Sequence, residues 1–150
     1  MSGDNDLIKL YSGRILALAA DMPRTDRIAD PDATSKKRSP LCGSTITVDV
    51  KLSHGKISEY GQDVKACALG QAAASVVGAN AVGLSRADIE TGRDALLDML
   101  KNDGPAPAHP FDDLEVLRPA RDYKNRHASI LLAFEATLDA IDQAEQSACA

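Results

Sequence analysis

Cys42 and Cys67 are the side chains best suited to chemistry in this chain, and the segment between them is the reason to read them together. From Thr45 to Leu52 the residues alternate, with Ile46, Val48, Val50 and Leu52 on one face and Thr45, Thr47, Asp49 and Lys51 on the other. That is the two-residue period of a half-buried strand. Ser53-His54-Gly55-Lys56 reads as a turn and Ile57 to Ala66 as a returning strand. The turn falls almost midway between the two cysteines, so an antiparallel hairpin brings both thiols to the end of the sheet remote from it. Two converging thiols can begin a metal site, close a disulfide or act as a redox pair. Gly43 frees the backbone beside Cys42, while Cys67 precedes an Ala-rich helix, Ala68 to Val77. The exposed N–H groups at such a helix start favour thiolate over thiol. The competing reading makes both cysteines small buried hydrophobes.

His127 is the third candidate. The last helix is expected to begin between Pro119 and Asn125 and to run to about Gln146, with Leu131, Phe134, Leu138 and Ile141 as its apolar stripe. Extended back one turn, that stripe includes His127. Packed across the hairpin, this helix can aim the imidazole at the thiol end of the sheet, although a histidine on an apolar face is also an ordinary hydrogen-bonded core residue. His54 in the turn and His109 in the Pro-rich stretch are expected to face solvent, and Cys149 to lie in a fraying tail.

The elements that must hold these residues follow from local signals. Asp4 or Asn5 can cap a first helix reaching about Ala20, with Ile8, Tyr11, Ile15 and Leu18 as its stripe and Pro23 as its stop. Asp21 to Leu41 is polar and rich in turn formers, a loop with at most a short edge strand, and carries the basic cluster Lys36-Lys37-Arg38. Ser85 and Asp88 form a capping box for a helix whose Ile89, Leu96, Leu97 and Leu100 share a face, ended by Asn102-Asp103-Gly104-Pro105. Gly104 to Pro110 reads as a stiff loop.

Composition narrows the function. A chain of 150 residues is expected to be one domain, and with three Tyr, two Phe and no Trp its core must be built from Leu, Ile, Val and Ala. A net charge of -5 with mixed signs argues against a nucleic-acid partner. No apolar run approaches the ~20 residues of a membrane span, and no secretory signal is visible, so a cytoplasmic protein with no membrane partner is expected. Three cysteines in a reducing compartment point to metal, sulfur chemistry or burial rather than a disulfide framework. No nucleophile elbow, phosphate loop, dinucleotide fingerprint or paired-carboxylate motif is present, and no enzymatic activity is expected.

The ordered series Pro40-Leu41-Cys42-Gly43, strand, Gly turn, returning strand, Ala66-Cys67-Ala68, small-residue helix and Arg126-His127-Ala128-Ser129-Ile130-Leu131 resembles the IscU/NifU N-terminal type of iron-sulfur cluster assembly scaffold. The resemblance spans the chain from Leu10-Tyr11 through the last helix. The insertion before that helix is more similar to the SufU branch, and His127 before Ser129-Ile130-Leu131 to the IscU branch. The resemblance implies an α+β fold, a small antiparallel sheet with helices packed on one face, and a metal or cluster site at the sheet end. It also implies a cysteine desulfurase as sulfur donor and apo iron-sulfur proteins as recipients. Cys42 and Cys67 match the family's first and second cysteines, and His127 the histidine before its third. Two positions depart from the pattern: Ser44 stands where the family usually has aspartate, and Ala128 where it usually has the third cysteine.

These departures shape the expected chemistry. A cluster held through thiolates takes four protein ligands, whereas Cys42, Cys67 and His127 make three, with Ser44 a poor fourth. The same trio matches tetrahedral zinc with one open position. The leading expectation is a scaffold-like protein that binds iron, a 2Fe-2S cluster or zinc through Cys42, Cys67 and His127 and passes its cargo on. Lys65 and the basic cluster would favour thiolate and contact a sulfur donor. The alternative is a zinc-stabilised family member without full scaffold activity, serving as an interaction or regulatory module. A third reading is a thiol enzyme with Cys67 as nucleophile and His127 as base. The oligomeric state is left open.

Overall fold

The computed structural model describes residues 13–40 and 43–149. Three strands, β1 (Ala33–Arg38), β2 (Thr45–Ser53) and β3 (Lys56–Lys65), form an antiparallel sheet in the order β1-β2-β3. The hairpin turns at His54-Gly55, both with positive φ (54° and 77°). This two-residue geometry matches the right-handed twist of the strands it joins. Ser53 faces Lys56 and Thr45 faces Lys65, so the start of β2 and the end of β3 lie side by side. The edge strand β1 falls inside the polar segment, with Ala33 to Arg38 paired against Val50 to Thr45.

Ile46, Val48 and Val50 are fully buried, as their period requires. Asp49, on the opposite face, is fully buried too. The polar segment before β1 is the reason, because it runs as a strap over that face. The Gln62 N–H donates to Arg24 O (2.9 Å), the Asp32 N–H donates to Val50 O (2.8 Å), and Arg27 reaches Asp49. Gly61 permits the close approach, since a Cβ there would stand 2.5 Å from Asp26 O.

The helices are α1 (Gly13–Ala20), α2 (Ala68–Asn80), α3 (Arg86–Asn102) and α4 (Lys124–Cys149). They gather on the face of the sheet away from the strap, α4 across β1 and β2, α2 against β3 and α4, α1 on α2 and α3 on α4. The start of the first helix, with Ile8 and Tyr11, lies outside the described residues; Ile15 is fully buried and Leu18 packs on the core. The capping box of α3 is present, Ser85 accepting from the Asp88 N–H and Asp88 from the Ser85 N–H, and the helix ends at a left-handed Asp103. Its buried face is Ile89, Leu96, Met99 and Leu100, with Leu97 only half-buried because it lies about 100° round the axis from Leu96.

Between α3 and α4, Asp112–Asp122 forms a 3-10 stretch that the sequence reading did not identify. Its buried residues, Leu114, Leu117 and Ala120, recur every third position, the period of that helix. Phe111 meets Phe134 edge to face, with ring centres 5.2 Å apart, in space left by Gly92. The helix α4 is longer than expected and buried on more than one side, Ile130, Ala133, Phe134, Ala136, Ala140 and Ile141 included, while Leu131 of the expected stripe is only half-buried. No helix among the described residues is long and apolar enough to cross a membrane.

Candidate functional site

Cys67 is the N-cap residue of α2, in extended conformation (φ -65°, ψ 168°), two residues beyond the end of β3. It is half-buried, and its Sγ lies 3.7 Å from Ser129 Oγ. Ser129 Oγ in turn lies 2.7 Å from Ser44 Oγ, in a contact buried between the start of β2 and the early turns of α4. Burial pushes the Cys67 thiol up, but the Gly70 N–H, the Ser129 hydroxyl, the Leu69 N–H and the charge of Arg126 outweigh it, and the thiol sits below its ordinary value. A helix start favours the thiolate here because its amides have no partners within the helix.

His127 is buried in the first turn of α4, its Nε2 3.0 Å from Ala120 O on the 3-10 stretch. A carbonyl only accepts, so Nε2 carries the hydrogen and Nδ1 keeps its lone pair. That Nδ1 is buried and has no partner among the described residues. Burial lowers the affinity of the ring for a second proton, against the raising effect of Ala120, and the nearby charges of Lys101 and Lys124 lower it further; the net shift is downward. A neutral imidazole with one N–H fixed on a backbone carbonyl and the other nitrogen open is the form a metal-ligating histidine takes.

Residues 127 and 129 are about 200° apart around a helix, so the Ala120 and Cys67 contacts lie on different sides of α4. No hydrogen bond joins His127 to Cys67, and no three His, Cys, Asp or Glu side chains among the described residues are grouped to hold a metal ion. Cys42 lies outside the described residues. Flanking it, the Ser39 N–H donates to Ser44 O and the Gly43 N–H to Ser39 O, both at 2.8 Å, with Gly43 at φ 69°. Cys67 and His127 each suit zinc or iron as single donors. Ala128 is exposed, as are His54 and His109.

Sequence reasoning assigned no role to Ser129 or Gly70. A Cβ at position 70 would stand 2.8 Å from Ser129 Oγ, so only glycine lets the first turn of α2 sit on that hydroxyl. The available signal was Ser129 at the head of a small-residue line, Ala133, Ala136 and Ala140, all fully buried.

No family model matches the chain, and no curated protein matches it. Among solved structures, the crystal structure of a nitrogen-fixing NifU-like protein (N-terminal) from Brucella abortus is 45% identical, with a TM-score of 0.90 over 94% of this chain and 98% of that one. A putative iron-sulfur cluster assembly scaffold protein for the SUF system from Fervidobacterium islandicum AW-1 is 16% identical, with a TM-score of 0.80 over 89% of this chain and 98% of that one. A hypothetical protein is 20% identical, with a TM-score of 0.78 over 90% of this chain and 98% of that one. The last two are similar in fold alone.

Proposed function

This chain belongs to the NifU-like N-terminal family, and from that premise we propose that it is an iron-sulfur cluster assembly scaffold, a carrier rather than an enzyme. Its cargo, iron or a 2Fe-2S cluster, is held at the Cys67 end of the sheet with Cys42, Cys67 and His127 as ligands. A cysteine desulfurase supplies sulfur, and apo iron-sulfur proteins receive the cluster. The observation that carries the reading is Cys67 itself, a half-buried thiol at the start of α2 whose surroundings favour the thiolate. The open Nδ1 of His127 supports a nitrogen ligand in the set.

Three ligands hold a cluster more loosely than four thiolates, which suits delivery more than storage. Anaerobic purification, metal analysis and reconstitution with ferrous iron and sulfide test the reading. Iron and sulfide bound with visible charge-transfer absorption is the expected result, and a colourless, iron-free chain overturns it. One observation favours a second reading. Ser44, at the place of the family's aspartate, pairs with Ser129 at 2.7 Å, and Ala128 supplies no third thiol. Under that reading the chain is a zinc-stabilised interaction module. Zinc held by Cys42, Cys67 and His127 would leave one position open, and its signature is bound zinc, no visible absorption and a melting temperature lowered by chelation.

A further inference from the structure

Two buried hydroxyls lead to the Cys67 sulfur. Ser129 is fully buried and Ser44 is 2% exposed, so each hydroxyl needs partners inside the protein. Their oxygens are 2.7 Å apart, and Ser129 Oγ lies 3.7 Å from Cys67 Sγ. A hydroxyl has one proton to donate and two lone pairs with which to accept, whereas a thiolate only accepts. One arrangement serves both contacts: with the Ser44 O–H donating to Ser129 Oγ, the Ser129 O–H is free to donate to Cys67 Sγ.

Thr137, further along α4, shows the ordinary alternative. Its hydroxyl donates to Ala133 O within the same helix at 2.7 Å, leaving the Tyr60 hydroxyl, 2.8 Å away, to donate to it. The partners of Ser129 are instead side chains of other elements. Gly70 locks the geometry, because it brings the first turn of α2 onto Ser129, so the Cys67 backbone and the Ser129 helix are held in a fixed relation.

We infer that Ser129 is a positioning residue for the Cys67 sulfur, and that Ser44 orients the Ser129 hydroxyl so that its proton points at that sulfur. The inference rests on the reading of Cys67 as a working sulfur. A donor fixed on a sulfur stabilises its reduced, anionic form and tunes any group bound there.

The test is the exchange of metal-free chain with glutathione disulfide at fixed pH. The Cys67 thiolate attacks one sulfur of glutathione disulfide, a new S–S bond forms as the old one breaks, and the other glutathione leaves as thiolate. Glutathione disulfide is the oxidant. Peptide mass spectrometry separates Cys67 from Cys42 and Cys149. Ser129→Ala is expected to raise the equilibrium constant for the Cys67 mixed disulfide about three- to tenfold, the net weight of one ordinary hydrogen bond. Ser44→Asp is expected to act in the same direction, because its carboxylate accepts the Ser129 O–H hydrogen bond in place of the sulfur, while Ser129→Thr and Ser44→Thr keep wild-type values. Folded S129A and S44D proteins that exchange like wild type overturn the inference, as does an S129T protein shifted as far as S129A. If circular dichroism shows that S129T does not fold, the S44D and S44T pair decides. Because no metal is present, failed cluster reconstitution overturns the scaffold reading alone, and unchanged exchange overturns the relay alone.

Discussion

Two buried polar clusters flank β2, and they are built to opposite rules. At Asp49, both carboxylate oxygens are engaged, by Arg27 Nε and Nη2, the Ile28 N–H and the Thr34 hydroxyl, at 2.5 to 3.1 Å. Nothing there is left to bind a ligand. Beyond the start of the strand, the half-buried Cys67 Sγ meets only the Ser129 hydroxyl among side chains, at 3.7 Å, and on another side of α4 His127 Nδ1 has no partner among the described residues. Buried polar groups are normally satisfied, so those left open are where chemistry is to be sought. Asp49 holds the strap to the sheet, whereas Cys67 is held by a single hydroxyl and stays half-buried, and His127 Nδ1 keeps its lone pair.

Cys67→Ala should separate the clusters most sharply. Iron and sulfide loading after anaerobic reconstitution is expected to fall to background with the melting temperature nearly unchanged; full loading would place the working sulfur elsewhere. Asp49→Ala should do the reverse. It is expected to cost about 2 kcal/mol in urea unfolding, below the range for a fully buried pair because the Arg27 side chain is 55% exposed, with loading of the folded chain intact.

The same carboxylate sets a pH dependence. Burial pushes Asp49 up, but Arg27, Thr34 and the Ile28 N–H hold it below its ordinary value. A folded-state pKa below the unfolded one contributes stability in full above the ordinary carboxylate range and loses it as pH falls through the folded value. Asp49→Asn should therefore flatten the acid limb of stability, read as urea midpoints across a pH series; an unchanged slope would rule out this linkage. Ala128→Cys sharpens the other side. The position is exposed, so a thiol there is expected to raise cluster retention severalfold when a cysteine desulfurase and iron are supplied. Equal retention in wild type would show that ligand number is not limiting. Ser85→Ala is the smallest change, about 1 kcal/mol of stability from a lost cap, with no effect on loading. The contrast with Cys67→Ala then compares one helix start built for stability with one built around a sulfur.

Much of this arrangement was legible beforehand. The alternation through Thr45 to Leu52 and the turn at His54-Gly55 specify a hairpin, and the Ser85/Asp88 pair specifies a helix start, because each depends on residues within a few positions of one another. Cys67 at the head of α2 followed from the same local reading. The 3-10 stretch was missed although Leu114, Leu117 and Ala120 mark its period, since a three-residue repeat over one short segment is easily taken for part of a loop.

The sequence by itself determined which residue types stand at the strand end and at the helix starts, and therefore the kind of chemistry open to this protein. Only the tertiary structure decided which of them touch. The strap that buries Asp49 depends on Arg27, 22 positions away, and the hydroxyl beside Cys67 comes from Ser129, 62 positions away. Contacts at that separation are set by how helices and sheet close over a shared core, where a fully buried Ser129 and a glycine at position 70 let two backbones approach. No local period encodes that approach, because packing is a property of surfaces that meet only after the elements have formed.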